Sequence, residues 1–186
     1  MRRFLSKILN PRCVYINLYN SISEIPRYFK ITNYLNEKQN FIEFNNFKKN
    51  KNFFYKIRES FLSIFISSYE KDIISILDIG GGFNNVYDFI TNSSTKKIDV
   101  TVLETQMIVD LMKPETKDIQ NLNYIEDIDY TQKNFDIIYF GTSFQYFITL
   151  EEFLSKIFKL KAKYIVIADT IFLEKRNSLI TLQINT

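Results

Sequence analysis

Three of the chain's four glycines stand in a row, within Asp78-Ile79-Gly80-Gly81-Gly82-Phe83-Asn84-Asn85. They follow the apolar run Ser75-Ile76-Leu77 and precede a helix expected over about residues 84–92. A turn of this kind between strand and helix lets backbone N–H groups approach a ligand closely at the carboxyl end of a parallel strand. A tight turn that only needed positive φ would require fewer glycines. The segment is not a phosphate-binding P-loop, because no Gly-Lys-Ser/Thr follows it. The dinucleotide fingerprint also fits badly. It wants a third glycine where Asn85 stands, and it does not ask for the acid that Asp78 supplies. A second carboxylate, Glu104, closes the next apolar run Val100-Thr101-Val102-Leu103, 24 positions after Gly80. A carboxylate is acceptor-only and takes two O–H donors side by side, each bond contributing about 1.5–3 kcal/mol.

Further polar groups end the later apolar runs. Glu126 and Asp127 follow Asn123-Tyr124-Ile125. Thr142, Gln145 and Tyr146 follow Phe135 to Gly141, and Asp169 follows Tyr164-Ile165-Val166-Ile167-Ala168. The chain contains no histidine, which excludes Ser-His-Asp triads, HExxH metal sites and imidazole bases. One cysteine, Cys13, forbids an internal disulfide and a cysteine-cluster zinc site, and fits a reducing cytosol. No metal is expected. Candidates for a proton-accepting group are therefore Asp169, Tyr146 and Glu174, or solvent where the reacting group ionises easily, with the Gln145 amide suited to orienting a bound molecule.

The elements that must position these groups read as alternating short strands and helix-sized segments. Strands are expected near 75–79, 98–103, 123–125, 135–140 and 164–168, each rich in Ile, Val and aromatics. Helical spacing of Ile57, Phe61, Ile64, Phe65 and Ser68 predicts an amphipathic helix over 53–70. The spacing of Thr149 and Glu152 predicts a capping box for a helix over 149–160, with Phe153, Leu154, Ile157 and Phe158 on its apolar face. Strands apolar on both faces imply a parallel sheet covered by helices on each side. The expected fold is α/β, Rossmann-like and doubly wound. Residues 1–52, with weak periodicity and breakers at Pro11 and Pro26, read as a helical or irregular extension, and 53–186 as the Rossmann-like domain.

A chain of 186 residues suits one domain with a short appendage. Charge is uneven, +8 over residues 1–60 and −5 over 61–186. The basic third has no accompanying nucleic-acid motif, so it reads as a solvated face and no nucleic-acid partner is expected. No apolar stretch approaches the ~20 residues that span a bilayer, and Lys7 and Asn10 interrupt what would be a signal peptide's apolar core. A cytoplasmic protein is expected.

Asp78, the Gly80–Gly82 loop and Glu104 together resemble the class I S-adenosylmethionine-dependent methyltransferases. The resemblance implies that the loop (Asp78, Gly80, Gly81, Gly82) cradles the aminoacyl part of S-adenosylmethionine. It further implies that Glu104 takes both ribose hydroxyls, that Asp127 lies near the adenine amino group, that Thr142 contacts the cofactor, and that the strand end within Phe135 to Phe147 lines the methyl-transfer site. Histidines often fill the positions that Gln145 and Tyr146 occupy here. Ser143-Phe144-Gln145-Tyr146, the glycines, Asp169-Thr170 and Thr181-Leu182-Gln183 are similar to a smaller group of methyltransferases often encoded beside surface-polysaccharide genes. That likeness spans roughly residues 17–186. The implied reaction is methyl transfer to a small-molecule or sugar-type acceptor, with Asp169, Tyr146 and Gln145 as the catalytic candidates.

A complete sheet of that family has seven strands, and only 18 residues follow Ala168. Asn177 to Ile184 suffice for one strand or a short helix, so strands six and seven are expected to be missing or incomplete. An uncovered sheet edge favours self-association, and a homodimer through it is the expected remedy. Two alternatives stand beside the enzyme: a degenerate, non-catalytic Rossmann-like binding module, favoured by Asn84, Asn85 and the short end, and an NAD-type domain. Base methylation lacks its Pro-Pro motif, as no Pro-Pro occurs.

Overall fold

The computed structural model describes residues 13–19, 24, 41–42, 44–45, 57–131, 133–147, 150–168, 170 and 180–185. In chain order its elements begin with β1 (Cys13–Tyr19), α1 (Ile57–Ser67), β2 (Ile73–Ile79), α2 (Tyr87–Ser93) and β3 (Lys97–Leu103). They continue with α3 (Gln106–Thr116), β4 (Leu122–Ile125), β5 (Ile137–Gly141), α4 (Leu150–Lys159), β6 (Tyr164–Ala168) and β7 (Ile180–Asn185). Two compact units divide the chain, Met1–Tyr34 with Ile171–Thr186, and Leu35–Thr170.

In the first unit β1 and β7 form an antiparallel pair, with Cys13 opposite Asn185 and Tyr19 opposite Ile180. The sequence reading gives helical or irregular structure around Cys13. The strand forms because Cys-Val-Tyr-Ile-Asn-Leu-Tyr is rich in β-branched and aromatic residues, and its partner lies far along the chain.

The second unit holds five strands in the order β4-β3-β2-β5-β6, every pair parallel. The expected doubly wound α/β sheet is present. Alternate residues of each strand bury on opposite faces. Ile74 and Ile76 of β2, Val100 and Val102 of β3 and Tyr124 of β4 join one cluster, with Leu62 and Ile66 of α1, Ile90 of α2 and Val109 and Met112 of α3. Leu77 and Ile79 of β2, Ile138 and Phe140 of β5 and Ile157 of α4 form the other. Each such Ile or Leu, fully buried, stabilises the fold by about 1.5–3 kcal/mol. The double burial explains why β2 reads as nearly unbroken aliphatic sequence.

The phase of α1 differs from its apolar spacing. Leu62, Ile66 and Tyr69 face inward, while Phe61 and Ile64 are 61% and 67% exposed. So many positions of this helix are apolar that periodicity alone cannot choose the buried stripe; packing on the sheet does. In α4, Ile157 is buried and Phe153 stacks on Phe147, but Phe158 turns outward. Thr149, the expected cap, lies outside the described residues. No helix among the described residues is long and apolar enough to cross a membrane.

Candidate functional site

Strand order reverses between β2 and β5, and a doubly wound sheet opens a crevice at the carboxyl ends of the strands at that point. The glycine loop leaves β2 there. Gly80 and Gly82 have φ of 71° and 62°, values that cost an L-residue about 1–2 kcal/mol. Gly80 N–H donates to the Leu103 carbonyl at 2.9 Å, which carries the chain across the end of β3. A Cβ on Gly80 would stand 2.5 Å from Ser143 Cβ, and one on Gly81 would collide with the Asp78 carboxylate. Beside Gly82 the nearest atom to such a Cβ is Glu104 Oε1, 3.9 Å away.

Glu104 reaches the loop from the end of β3. Its Oε1 accepts the Gly82 N–H at 3.0 Å and its Oε2 accepts the Thr105 N–H at 2.9 Å. Burial raises its pKa above the ordinary glutamate value, and the two N–H donors oppose that rise. Each oxygen keeps a further acceptor site. Thr105 Oγ1, next to it at the start of α3, is buried with no hydrogen-bond partner among the described residues.

Asp78 is 1% exposed, and its Oδ2 accepts the Val86 N–H at 3.1 Å. Its carboxylate thus closes the loop onto α2. From β4, the Tyr124 hydroxyl donates to the Gly82 carbonyl at 3.0 Å and accepts from Asn85 Nδ2 at 2.7 Å. Asn85 Oδ1 in turn accepts the Tyr87 N–H at 2.8 Å. Burial pushes the Tyr124 phenol well up, so it stays a donor.

The end of β4 is engaged locally. Asp127 Oδ1 accepts the Asp129 N–H at 3.0 Å and lies 4.0 Å from Lys156 Nζ, and Glu126 lies 3.8 Å from Lys113 Nζ. At the end of β5, Thr142 has φ of 73° and its N–H donates to the Ala168 carbonyl at 3.0 Å. Ser143 Oγ donates to the Ile79 carbonyl, so β5 is latched to the residue before the glycines. Tyr146 ends a single 3-10 turn from Phe144 and is 44% exposed. Gln145 sits in that turn, with its side chain outside the described residues, as are Asp169 and Glu174. Phe83 packs on Phe44 at 5.6 Å, while Phe144 and Phe147 lie edge-on to Phe140, so these three rings belong to the core.

Asp78, Gly80, Gly81, Gly82 and Glu104 therefore converge, with Thr142 on the neighbouring strand end. Tyr124 and Thr105 were not singled out by sequence, and Ser143 entered only as part of the motif Ser143-Phe144-Gln145-Tyr146. A tyrosine inside a strand signals core, and nothing local shows that its hydroxyl reaches the loop. Thr105 was legible only as the neighbour of Glu104, and nothing local shows that the Ser143 hydroxyl reaches back to Ile79.

No protein-family model and no curated protein matches the chain. Among solved structures, a protein described as a putative S-adenosyl-L-methionine-dependent methyltransferase from Methanococcus maripaludis superposes with a TM-score of 0.52 at 13% identity, covering 71% of this chain and 62% of that one. A SAM-dependent methyltransferase from Aquifex aeolicus gives 0.46 at 15% identity over 56% and 57% of the two chains. The plantazolicin methyltransferase BpumL in complex with SAH gives 0.45 at 20% identity over 66% and 48%. The chain spans about half to three fifths of the length of these structures. The first likeness shows the fold: the parallel sheet and its crossover helices form a Rossmann-like α/β domain.

Proposed function

We propose that the chain binds S-adenosylmethionine at the Gly80–Gly82 loop and transfers its methyl group to a small-molecule or sugar-type acceptor. The observation that carries this reading is the Glu104 carboxylate, held 3.0 Å from the Gly82 N–H with acceptor sites to spare. An adenosyl ligand offers two adjacent ribose hydroxyls, the donor pair such a carboxylate matches. The room beside Gly82, where a Cβ would meet only Glu104 Oε1 at 3.9 Å, also fits a ligand at this rim. When bound, the cofactor supplies an already activated sulfonium methyl.

The protein's own contribution is then mostly alignment, and oriented approach supplies up to about 7–11 kcal/mol. The glycines let the backbone come close, Glu104 fixes the ribose end, and Asp127 stands near the adenine. Tyr146 and Gln145 orient the acceptor, and Asp169 takes a proton where the nucleophile must lose one. The resemblance noted for the sequence supports the reaction type; a small molecule or sugar-type intermediate, methylated in the cytoplasm, is the acceptor class this reading assigns. Among the described residues β6 pairs with β5 alone, which supports a second copy covering that edge; sedimentation at twice the chain mass is the expected result, and a stable monomer counts against it.

Incubation with methyl-labelled cofactor and fractionated extract tests the reaction. Label in a small-molecule fraction is expected. Cofactor binding with no transfer to any fraction would make the chain a binding module instead.

A further inference from the structure

Gly82 is gripped through both its N–H and its carbonyl, and the two grips come from different strands. Glu104 at the end of β3 accepts its N–H at 3.0 Å. Tyr124 on β4 donates to its carbonyl at 3.0 Å. The Tyr124 ring is 1% exposed, in the cluster between the sheet and α1–α3, so its hydroxyl is delivered by a rigid strand. Asn85 then holds that hydroxyl from the other side at 2.7 Å, while its Oδ1 accepts the first N–H of α2 at 2.8 Å.

The chain of donors runs one way: Asn85 amide to Tyr124 hydroxyl to Gly82 carbonyl. Each group can play only the part it plays, because an Asn Nδ2 is donor-only and a carbonyl is acceptor-only, while the hydroxyl is both. The left-handed conformation of Gly82, φ 62°, needs such support, since glycine loses more freedom on ordering than any other residue.

We infer that Tyr124 and Asn85 are positioning residues that preset the glycine loop in its ligand-receiving conformation. This rests on the binding reading above. Asn85 occupies the position where a dinucleotide loop would carry glycine, and it does so because its side chain completes the brace. Without the brace the loop must be ordered by the ligand itself, and binding weakens by the cost of that ordering.

The test compares Tyr124→Phe and Asn85→Ala with Tyr69→Phe in the full chain. Tyr69 is also a core tyrosine, 7% exposed, but its hydroxyl meets Asp136 before the start of β5, at the opposite rim. S-adenosylhomocysteine affinity is measured by calorimetry, and amide exchange is followed over residues 80–86. Tyr124→Phe and Asn85→Ala are expected to weaken binding by roughly tenfold and to speed exchange in the loop, and Tyr69→Phe to do neither. Asn85→Ala, at a half-buried loop position outside the core cluster, carries the test if Tyr124→Phe does not fold. Unchanged affinity in both brace variants, or an equal loss in Tyr69→Phe, overturns the inference while leaving the binding reading intact. If the wild type does not bind, the binding reading fails, and the exchange data alone decide whether the brace orders the loop.

Discussion

The Glu104 carboxylate accepts the Gly82 N–H at 3.0 Å, joining the last position of the β3 run to the loop that follows β2. The contact makes Glu104 a structural acceptor, and on the proposed function it is also the group that receives a ligand's hydroxyls. Its protonation should therefore control binding. Burial raises its pKa above 4.5, against the Thr105 and Gly82 N–H donors. Affinity for S-adenosylhomocysteine is expected to fall as pH drops through that raised value, because a protonated carboxyl has lost acceptor capacity. The stability effect has the opposite sign. The folded state holds this proton more tightly than the unfolded one, so stability declines as pH rises from 4.5 to the raised value. Relative to wild type, Glu104→Gln should gain stability across that window, as read by melting temperature at stepped pH.

The two positive-φ glycines should differ in what they tolerate. Gly82→Ala meets no close atom and suffers only from its φ of 62°. It should fold with a melting temperature lower by roughly 2–8 °C. Gly80→Ala meets Ser143 Cβ at 2.5 Å as well as the same backbone strain. It should be clearly the less stable of the two in thermal melts, and equal losses would contradict the packing of β5 against the loop.

Away from the site, Asp136 ties the lower rim together, accepting from Lys71, from the Ser75 N–H at 3.0 Å and from the Tyr69 hydroxyl. Burial works against its charge, but the Lys71 hydrogen bond and the Ser75 N–H outweigh that and lower its pKa. A depressed carboxylate stabilises above its unfolded pKa, and that stability is lost as pH falls through the folded value, below 3.8. Asp136→Asn should cost about 1 kcal/mol at neutral pH. The difference should close in acid, with cofactor affinity unchanged. Urea denaturation at both pH values checks this.

The sheet was legible because β2 and β5 bury both faces and read as apolar runs, and β3 ends in one, each closed by a polar or glycine residue at the carboxyl rim of the sheet. Glu104 was legible for the same reason: an acid closing such a run has few purely structural explanations. Other features left no local trace. The phase of α1 depends on which side meets the sheet, and Phe61 and Leu62 look alike in sequence. The pairing of β1 with β7 joins residues near the two ends of the chain. Tyr124 was readable as core, while its hydroxyl bond to Gly82 spans 42 positions and depends on strand order. Asp127 was readable as an acid after β4, but not its approach to Lys156 of α4.

The central claim is that Glu104 and the glycine loop form one adenosyl site. Titration calorimetry of S-adenosylhomocysteine into the wild type and into Glu104→Ala tests it most directly. Micromolar binding to the wild type, lost in the folded variant, is the predicted result. No heat with folded wild-type protein, or equal affinity in the two, would contradict it.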